Sequence, residues 1–384
     1  MVLLGGICWL ALPGTIEIAA QEVRPGTSIS PAPASSRIQT RAGTSSGSLK
    51  PATSIPPVTK AAAPPSAAPT SAAPALATLP SAGITSTNLL QPSAADASAA
   101  QPVQDVVEAQ IYLARLGISP GPIDGLMGSQ TRSALRSFQQ SRGLPATGEL
   151  DALTRAPMWL AEPPMTNFVA SLDDLSRLRP VPKTWLGKSQ ATSLAYESLV
   201  EQVAEKGWAY QSFVRKLNPG VDWSRITNGV SLQIPHVWRP RFDEKAAQIR
   251  IFLAQRVLQA FAQDGRLLVH FPCSIAQRVD KRPVGELRVI VLAPDPDYTF
   301  DPEVFTESEE ARQLGRKLRI PPGPNNPVGL AWIGLSLPGY GIHGTPDPEK
   351  VGRTESHGCF RLANWNARTL LELAWEGLPV VIEP

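Results

Sequence analysis

Cysteine is scarce in this 384-residue chain, which carries only Cys8, Cys273 and Cys359. If a leader containing Cys8 is removed, two remain, too few for a disulfide scaffold. A Cys273–Cys359 bridge is disfavoured because it would consume the thiol that the chain's one chemistry-bearing stretch places beside histidine. Charge of one sign is also scarce. A net charge of +3 over this length gives no basis for nucleic-acid binding, which needs a concentrated basic face. Long apolar runs are missing: the one near the N-terminus is about a dozen residues, short for a membrane span. Paired Cys-x-x-Cys and His-x-x-x-His spacings, the usual mark of a zinc site, do not occur around the histidines. What the chain has in excess is proline. Thirty-nine prolines are too many for one compact fold of this length, so part of the chain is expected to stay unfolded.

The excess is local. Residues 1–20 hold the short apolar run and Ile18-Ala19-Ala20, a passable cleavage site, although no Lys or Arg precedes the run. They are expected to be a signal peptide or an uncleaved anchor, and so to send the protein out to the cell envelope or periplasm. Residues 21–102 are almost entirely Pro, Ala, Ser and Thr, which bury too little apolar surface to offset their ordering entropy. As a coil of about 80 residues this linker would span on the order of 50 Å. Residues 103–156 change character. Val106, Ala109, Leu113 and Leu116 recur at helical spacing, and Gly117 stops the helix. A turn cluster, Gly121-Pro122-Ile123-Asp124-Gly125, leads to a second helix with Thr131, Leu135 and Phe138 inward and Gly143 at its end. A short third helix opens at Thr147–Asp151. Residues 157–183, punctuated by proline, read as a second connection. In 184–237 a helical face (Tyr196, Leu199, Val200, Val203) and a second short helix precede the strand-like Gly229–Pro235.

Residues 245–384 are strand-rich. Ile249, Ile251 and Leu253 alternate, a second strand leads to the Asp264-Gly265 hairpin turn, and Leu267, Val269 and Phe271 alternate on the return. Leu287, Val289 and Val291 follow Pro283-Val284-Gly285. Only the tail reads as helical: Asn364 is placed as the cap of a helix with Ala367, Leu370, Leu371 and Ala374 inward, stopped at Gly377, before a last strand at Val380–Ile382. The class is multidomain α+β: a small three-helix domain, then a mainly β domain, an open barrel or sandwich with one helix.

Residues 342–364 concentrate the chemistry. They contain two of the four histidines, His343 and His357, and one of the three cysteines, Cys359. A thiol attacks a carbonyl carbon as thiolate, and an adjacent imidazole can take its proton. Two imidazoles qualify. His357 lies two residues from Cys359, on the same face if the segment is extended, whereas His343 must arrive from another strand. A zinc site of His343, His357 and Cys359 is the competing chemistry, without supporting spacing. Gly358 lets backbone approach a substrate. The Gly358 and Cys359 N–H groups are candidates for an oxyanion hole. Arg361 can hold a carboxylate in a planar fork or pair structurally, and Tyr340 borders the site or packs. Cys273 reads as a small buried hydrophobe, and His236 as a surface or satisfied histidine.

Three stretches resemble known families. Leu116-Gly117, Gly121–Gly125, Gly128-Ser129-Gln130-Thr131, Phe138-Gln139 and Gly143-Leu144 are similar to a peptidoglycan-binding domain, with a helical spacer as the plainer alternative. Leu217–Asp222 and Gly229–Pro235 look like the second half of a LysM module whose first strand is not evident. Pro283-Val284-Gly285, Pro322–Pro327, Ile333-Gly334-Leu335, Tyr340–Thr345, Gly352-Arg353 and Ser356-His357-Gly358-Cys359-Phe360-Arg361-Leu362 resemble the L,D-transpeptidases of the YkuD type, with Phe360 where Ile or Val is common. That resemblance implies Cys359 as nucleophile and His343 as base, oriented by a backbone carbonyl near Gly344, with Ser356 and His357 shaping the pocket. It implies a thioester formed on a tetrapeptide stem of peptidoglycan and resolved by an amine to give a 3→3 cross-link, or by the lysine of a wall-anchored lipoprotein, with no cofactor. An L,D-carboxypeptidase and a wall-binding scaffold without catalysis are the alternatives.

Overall fold

Polar caps and left-handed glycines cut the chain into helices first and strands afterwards. The structure, a computed structural model, describes residues 100–305, 308–354 and 358–384. The expected leader, nearly all of the expected linker, Ser356 and His357 lie outside the described residues.

The first strand, β1 (Gln101–Pro102), pairs antiparallel with β2 (Trp159–Leu160) and closes a loop of three helices: α1 (Val106–Arg115), α2 (Ser129–Ser141) and α3 (Ala152–Arg155). Asp105 caps α1 by accepting from the Glu108 N–H, and the Glu108 carboxylate returns to the Gln104 N–H at 2.7 Å. Ala109, Leu113, Leu135 and Phe138 are fully buried, as their spacing predicts. The buried Gln110 carboxamide donates to Asp124 Oδ1 at 2.8 Å and accepts from the Gly125 N–H at 2.9 Å, which ties the glycine turn to α1.

The stretch 157–183 is more than the connection expected of it. Besides β2 it carries β3 (Met165–Val169) and α4 (Leu172–Arg177). Then come α5 (Trp185–Gln190), α6 (Leu199–Lys206), α7 (Gln211–Leu217) and β4 (Ser231–Pro235). β3 pairs antiparallel with β4, from Met165↔Pro235 to Val169↔Ser231. It lies in the stretch read as a connection and pairs with the strand expected at Gly229–Pro235. Its five residues, Met-Thr-Asn-Phe-Val, follow two prolines and mix polar with apolar, too short a run for periodicity to reveal. α6 begins at Leu199 behind its cap Ser198, so Tyr196 stands ahead of the helix and not on its face.

The last part holds β5 (Gln248–Phe252), β6 (Val257–Phe261), β7 (Leu267–Pro272), β8 (Gly285–Pro294), β9 (Tyr298–Phe300), α8 (Glu309–Leu314), β10 (Leu318–Ile320), β11 (Ala331–Leu335), β12 (Gly341–His343), β13 (Phe360–Arg361), α9 (Asn364–Leu373) and β14 (Pro379–Glu383). Eight of these strands form one mixed sheet in the order β13-β12-β11-β8-β14-β5-β6-β7. α9 lays Ala367, Leu370 and Leu373 on its inner face, among Ile249, Ile251, Val269, Phe271, Ile333, Ile342 and Phe360. The sequence expectation of one helix is corrected by α8, which sits with the β9–β10 pair on the sheet's other side.

The register of β6 and β7 shifts between Ala260 and Phe261, a bulge that changes which side chains face the core. Leu268 joins Val269 and Phe271 in the sheet's core, while Leu267, expected inward with them, packs against the helical region. That region also covers the sheet edge. Ile118 bridges His270 in parallel, Ser119 N–H donates to the His270 carbonyl at 2.8 Å, and His270 N–H donates to the Gly117 carbonyl at 3.0 Å. The outward backbone N–H and carbonyl of His270 on the edge strand are thereby paired. Among the described residues no helix is long and apolar enough to cross a membrane.

Candidate active site

β12 and β13 run parallel, Ile342 opposite Phe360 and His343 opposite Arg361, and the Leu362 N–H donates to the His343 carbonyl at 2.8 Å. Side chains alternate along strands. Ile342, Phe360 and Leu362 therefore point into the sheet core, at most 1% exposed. His343 and Arg361 take the opposite face. Cys359, two residues before Arg361, lies on that face too, packed against the outer cluster of Trp332, Tyr298 and Phe300. Parallel pairing of two short strands thus brings residues sixteen positions apart in sequence, Cys359 and His343, to one side of one sheet edge.

His343 is held in one tautomer. Its Nδ1 is 2.6 Å from the Gly344 carbonyl oxygen, which can only accept, so Nδ1 carries the proton and Nε2 the lone pair. The ring stacks on Trp332, centroids 5.7 Å apart at 23°. Burial pushes its pKa down to about 3, the Arg361 charge acts in the same direction, and the Gly344 bond opposes them. The imidazole is neutral at physiological pH.

Gly344 is a glycine for a spatial reason: a Cβ there would run into the Asn364 carboxamide oxygen. Asn364 is the functional residue that sequence reasoning misassigned. The cap of α9 is Ala363, and Asn364 makes no capping bond. Its Oδ1 accepts from the Leu330 and Thr345 N–H groups, each at 3.1 Å, and its Nδ2 donates to the Pro324 carbonyl at 3.3 Å. It ties together the three loop segments around His343. An asparagine at the start of a helix reads as a cap in sequence, and nothing local says that it faces the other way.

Cys359 Sγ lies 3.5 Å from the Gly339 carbonyl. Burial pushes the thiol up to about 11, against the pull of a Gly341 backbone bond and the Arg361 charge. Neither Cys359 nor Cys273 is in a disulfide. Cys273 is fully buried in the sheet core, with its thiol pushed well above the usual range by that burial. Among the described residues, a Cβ built on Gly358 would come nearest the Tyr340 ring, at 3.9 Å. Tyr340 donates its hydroxyl to the Lys281 carbonyl at 3.0 Å. Burial lowers the pKa of the half-buried Arg361 guanidinium, and its electrostatic interactions with Cys359, Asp347 and Tyr298 oppose that. His236 is half-exposed, with Nδ1 3.2 Å from the Pro163 carbonyl. Among the described residues no group of three His, Cys, Asp or Glu side chains is arranged to hold a metal ion.

The wall facing Cys359 is aromatic, and part of it comes from outside the strand-rich region. Trp185 of α5 stacks on Phe300, centroids 4.3 Å apart at 19°, and lies 6.1 Å from Tyr298.

Comparison with known proteins supports both ends of the described chain. Residues 246–382 match the family model described as “L,D-transpeptidase catalytic domain”, and residues 102–158 match “Putative peptidoglycan binding domain”. The chain is 26% identical over 185 residues to “Putative L,D-transpeptidase YkuD” of Bacillus licheniformis, which covers 48% of this chain and 93% of that protein. It is 30% identical over 156 residues to “Putative L,D-transpeptidase in ATP synthase subunits region ORF 5” of Fuscovulum blasticum, covering 40% of this chain and 79% of that protein. A solved L,D-transpeptidase from Mycobacterium smegmatis overlays with a TM-score of 0.29 at 18% identity, covering 41% of this chain and 64% of that one. Matched over most of the length of its Fuscovulum relative and by the catalytic-domain model across the whole strand-rich region, this chain belongs to the L,D-transpeptidase family.

Proposed function

We propose that the protein cross-links peptidoglycan stem peptides through a thioester on Cys359. The observation that supports this most directly is the tautomer of His343. With Nδ1–H committed to the Gly344 carbonyl, Nε2 is the nitrogen left to accept a proton, on the sheet face that Cys359 shares. A thiol near 11 and an imidazole near 3 rest as a neutral pair. The proton therefore leaves Sγ as the carbon–sulfur bond forms, with His343 as general base.

In the first half-reaction Sγ attacks the carbonyl carbon before the terminal D-residue of a tetrapeptide stem. His343 takes the thiol proton, the tetrahedral oxyanion accepts from the Gly358 and Cys359 N–H groups, and the C–N bond breaks. The leaving amine takes the proton from His343 and departs as the D-amino acid. In the second, an acceptor amine gives its proton to His343 and attacks the thioester. Amide and free thiol are restored and the product is a 3→3 cross-link. Each donor aimed at such an oxyanion contributes about 10²–10³-fold in rate. Arg361 holds a stem carboxylate beside the thiol, Tyr340 borders the pocket, and Ser356 and His357 shape it. No step draws on a cofactor. The lysine of a wall-anchored lipoprotein is an alternative acceptor. Residues 102–158 retain the enzyme on the wall of an exported, envelope-facing protein.

Incubation with disaccharide-tetrapeptide and analysis of products by mass tests the reading. A cross-linked dimer that has lost one D-residue is expected, and none from Cys359→Ser. Tripeptide without dimer makes the protein an L,D-carboxypeptidase. No turnover, together with no adduct on an accessible Cys359, leaves a wall-binding scaffold.

A further inference from the structure

The loop from Gly344 to Thr354 leaves the His343 strand toward Cys359, and it is held from outside the strand-rich region. Gln130, in the first turn of α2, donates through Nε2 to the Val351 carbonyl at 2.7 Å. Its side chain lies between two left-handed glycines, one from each side of the contact. Gly121, at φ +83°, has no room for a Cβ because the Gln130 carboxamide oxygen fills it. Gly352, at φ +71°, would put a Cβ 2.7 Å from Gln130 Nε2. Next along the loop the Gly352 N–H donates to Ser274 Oγ at 2.9 Å. A second hold comes from α7: the Gln211 N–H, unpaired within its own helix, donates to Glu349 Oε1 at 3.0 Å. Arg353 lies over the Tyr210 ring, 5.6 Å from its centroid.

We infer that Gln130, a residue of the wall-binding-like helices, is a positioning residue for acyl transfer: its bond to Val351 sets the loop, Gly344–Thr354, that follows the base. The helical region is then a structural part of the catalytic site as well as an anchor. This rests on the roles proposed for Cys359 and His343. A hydrogen bond of this kind fixes one loop conformation among several. Its loss lowers the fraction of molecules in the reactive geometry by about three- to tenfold.

The test uses the full chain and the carbapenem imipenem, with acylation followed by intact mass. Wild type is measured first. For Gln130→Ala the maximal acylation rate is expected to fall about three- to tenfold while the half-saturating imipenem concentration stays within about twofold. Gln130→Lys, which still offers a donor to Val351, is expected to regain most of the rate. Glu349→Gln, which weakens the second hold, is expected to slow acylation in the same sense and keeps the question answerable if Gln130→Ala unfolds. Wild-type rates in Gln130→Ala and Glu349→Gln overturn the inference and leave the proposed function standing. A wild-type chain that takes up no imipenem overturns both.

Discussion

Replacing Asn364 with alanine removes one acceptor from two backbone N–H groups at once. The Leu330 and Thr345 N–H groups both reach Asn364 Oδ1 at 3.1 Å, and the side chain is 1% exposed. A buried donor left without a partner costs about 1–3 kcal/mol. Thr345 is buried and Leu330 only partly so, which allows water to recover some of the second loss. The expected destabilisation is therefore about 2–4 kcal/mol, above the roughly 1 kcal/mol of a lost helix cap. Aspartate separates the two accounts further. At a cap, Asp serves as well as Asn. Here it would place a carboxylate against Glu205, whose own carboxyl is pushed up to about 8 by burial and by Glu201 and has the Asn364 side chain as a hydrogen-bond partner. Asn364→Asp is therefore expected to lose stability as well, and both variants to acylate Cys359 more slowly, because the turn after His343 is released. Urea denaturation followed by tryptophan fluorescence gives the stabilities, and imipenem uptake gives the rates. A loss of about 1 kcal/mol or less in Asn364→Ala, with Asn364→Asp neutral, would refute the argument and restore the cap.

Three further outcomes follow from the same geometry. With Cys359 near 11 and His343 near 3, alkylation of Cys359 by iodoacetamide is expected to rise steadily with pH above neutrality; a flat, fast rate between about pH 6 and 8 would mean a preformed thiolate and overturn the neutral-pair assignment. His343 and His270 are both held by burial below the ordinary histidine value, at about 3 and about 4. A depressed histidine contributes stability that is complete above about pH 6.5 and lost as pH falls through the folded value. The urea midpoint should thus decline from about pH 6.5 downward, less steeply in His270→Gln; an unchanged slope contradicts it. Deleting residues 103–156 is expected to lower the thermal midpoint and slow acylation together, because it bares β7 and removes the Ser119 hydroxyl to which Asn366 donates at 3.1 Å. A deletion variant that melts and acylates like the full chain would show that the helical region is separable after all.

Some of this was legible along the chain because the signals are local. Gly117 and Gly143 end helices at positive φ, and the buried faces of α1 and α2 repeat at helical spacing. Period-two alternation marked β5 and β8. Other features escaped because their partners lie far away in sequence. β3 is a strand by virtue of pairing with β4, more than sixty residues on. Leu267 turns from the core because of a bulge in the partner register, which no alternation pattern encodes. Gln130 was legible as part of the helix-opening run Gly128–Thr131 of the peptidoglycan-binding resemblance, but the carbonyl it bonds lies 221 residues later.

The sequence by itself determined the chemistry available here. Scarce cysteine, two histidines beside Cys359 and the ordered motif through Leu362 narrowed the choice to a thiol acyl transferase or a three-ligand metal site, and the family resemblance favoured the first. Only the tertiary structure decided how those groups are disposed. Parallel pairing of β12 with β13 put His343, Arg361 and Cys359 on one face, and the Gly344 carbonyl selected the tautomer. Asn364 accepts from the Thr345 N–H just after His343, and Gln130 donates to the Val351 carbonyl. The physical reason is that residue type sets which protons and electron pairs exist, whereas their direction and burial come from neighbours that only folding brings within hydrogen-bond reach.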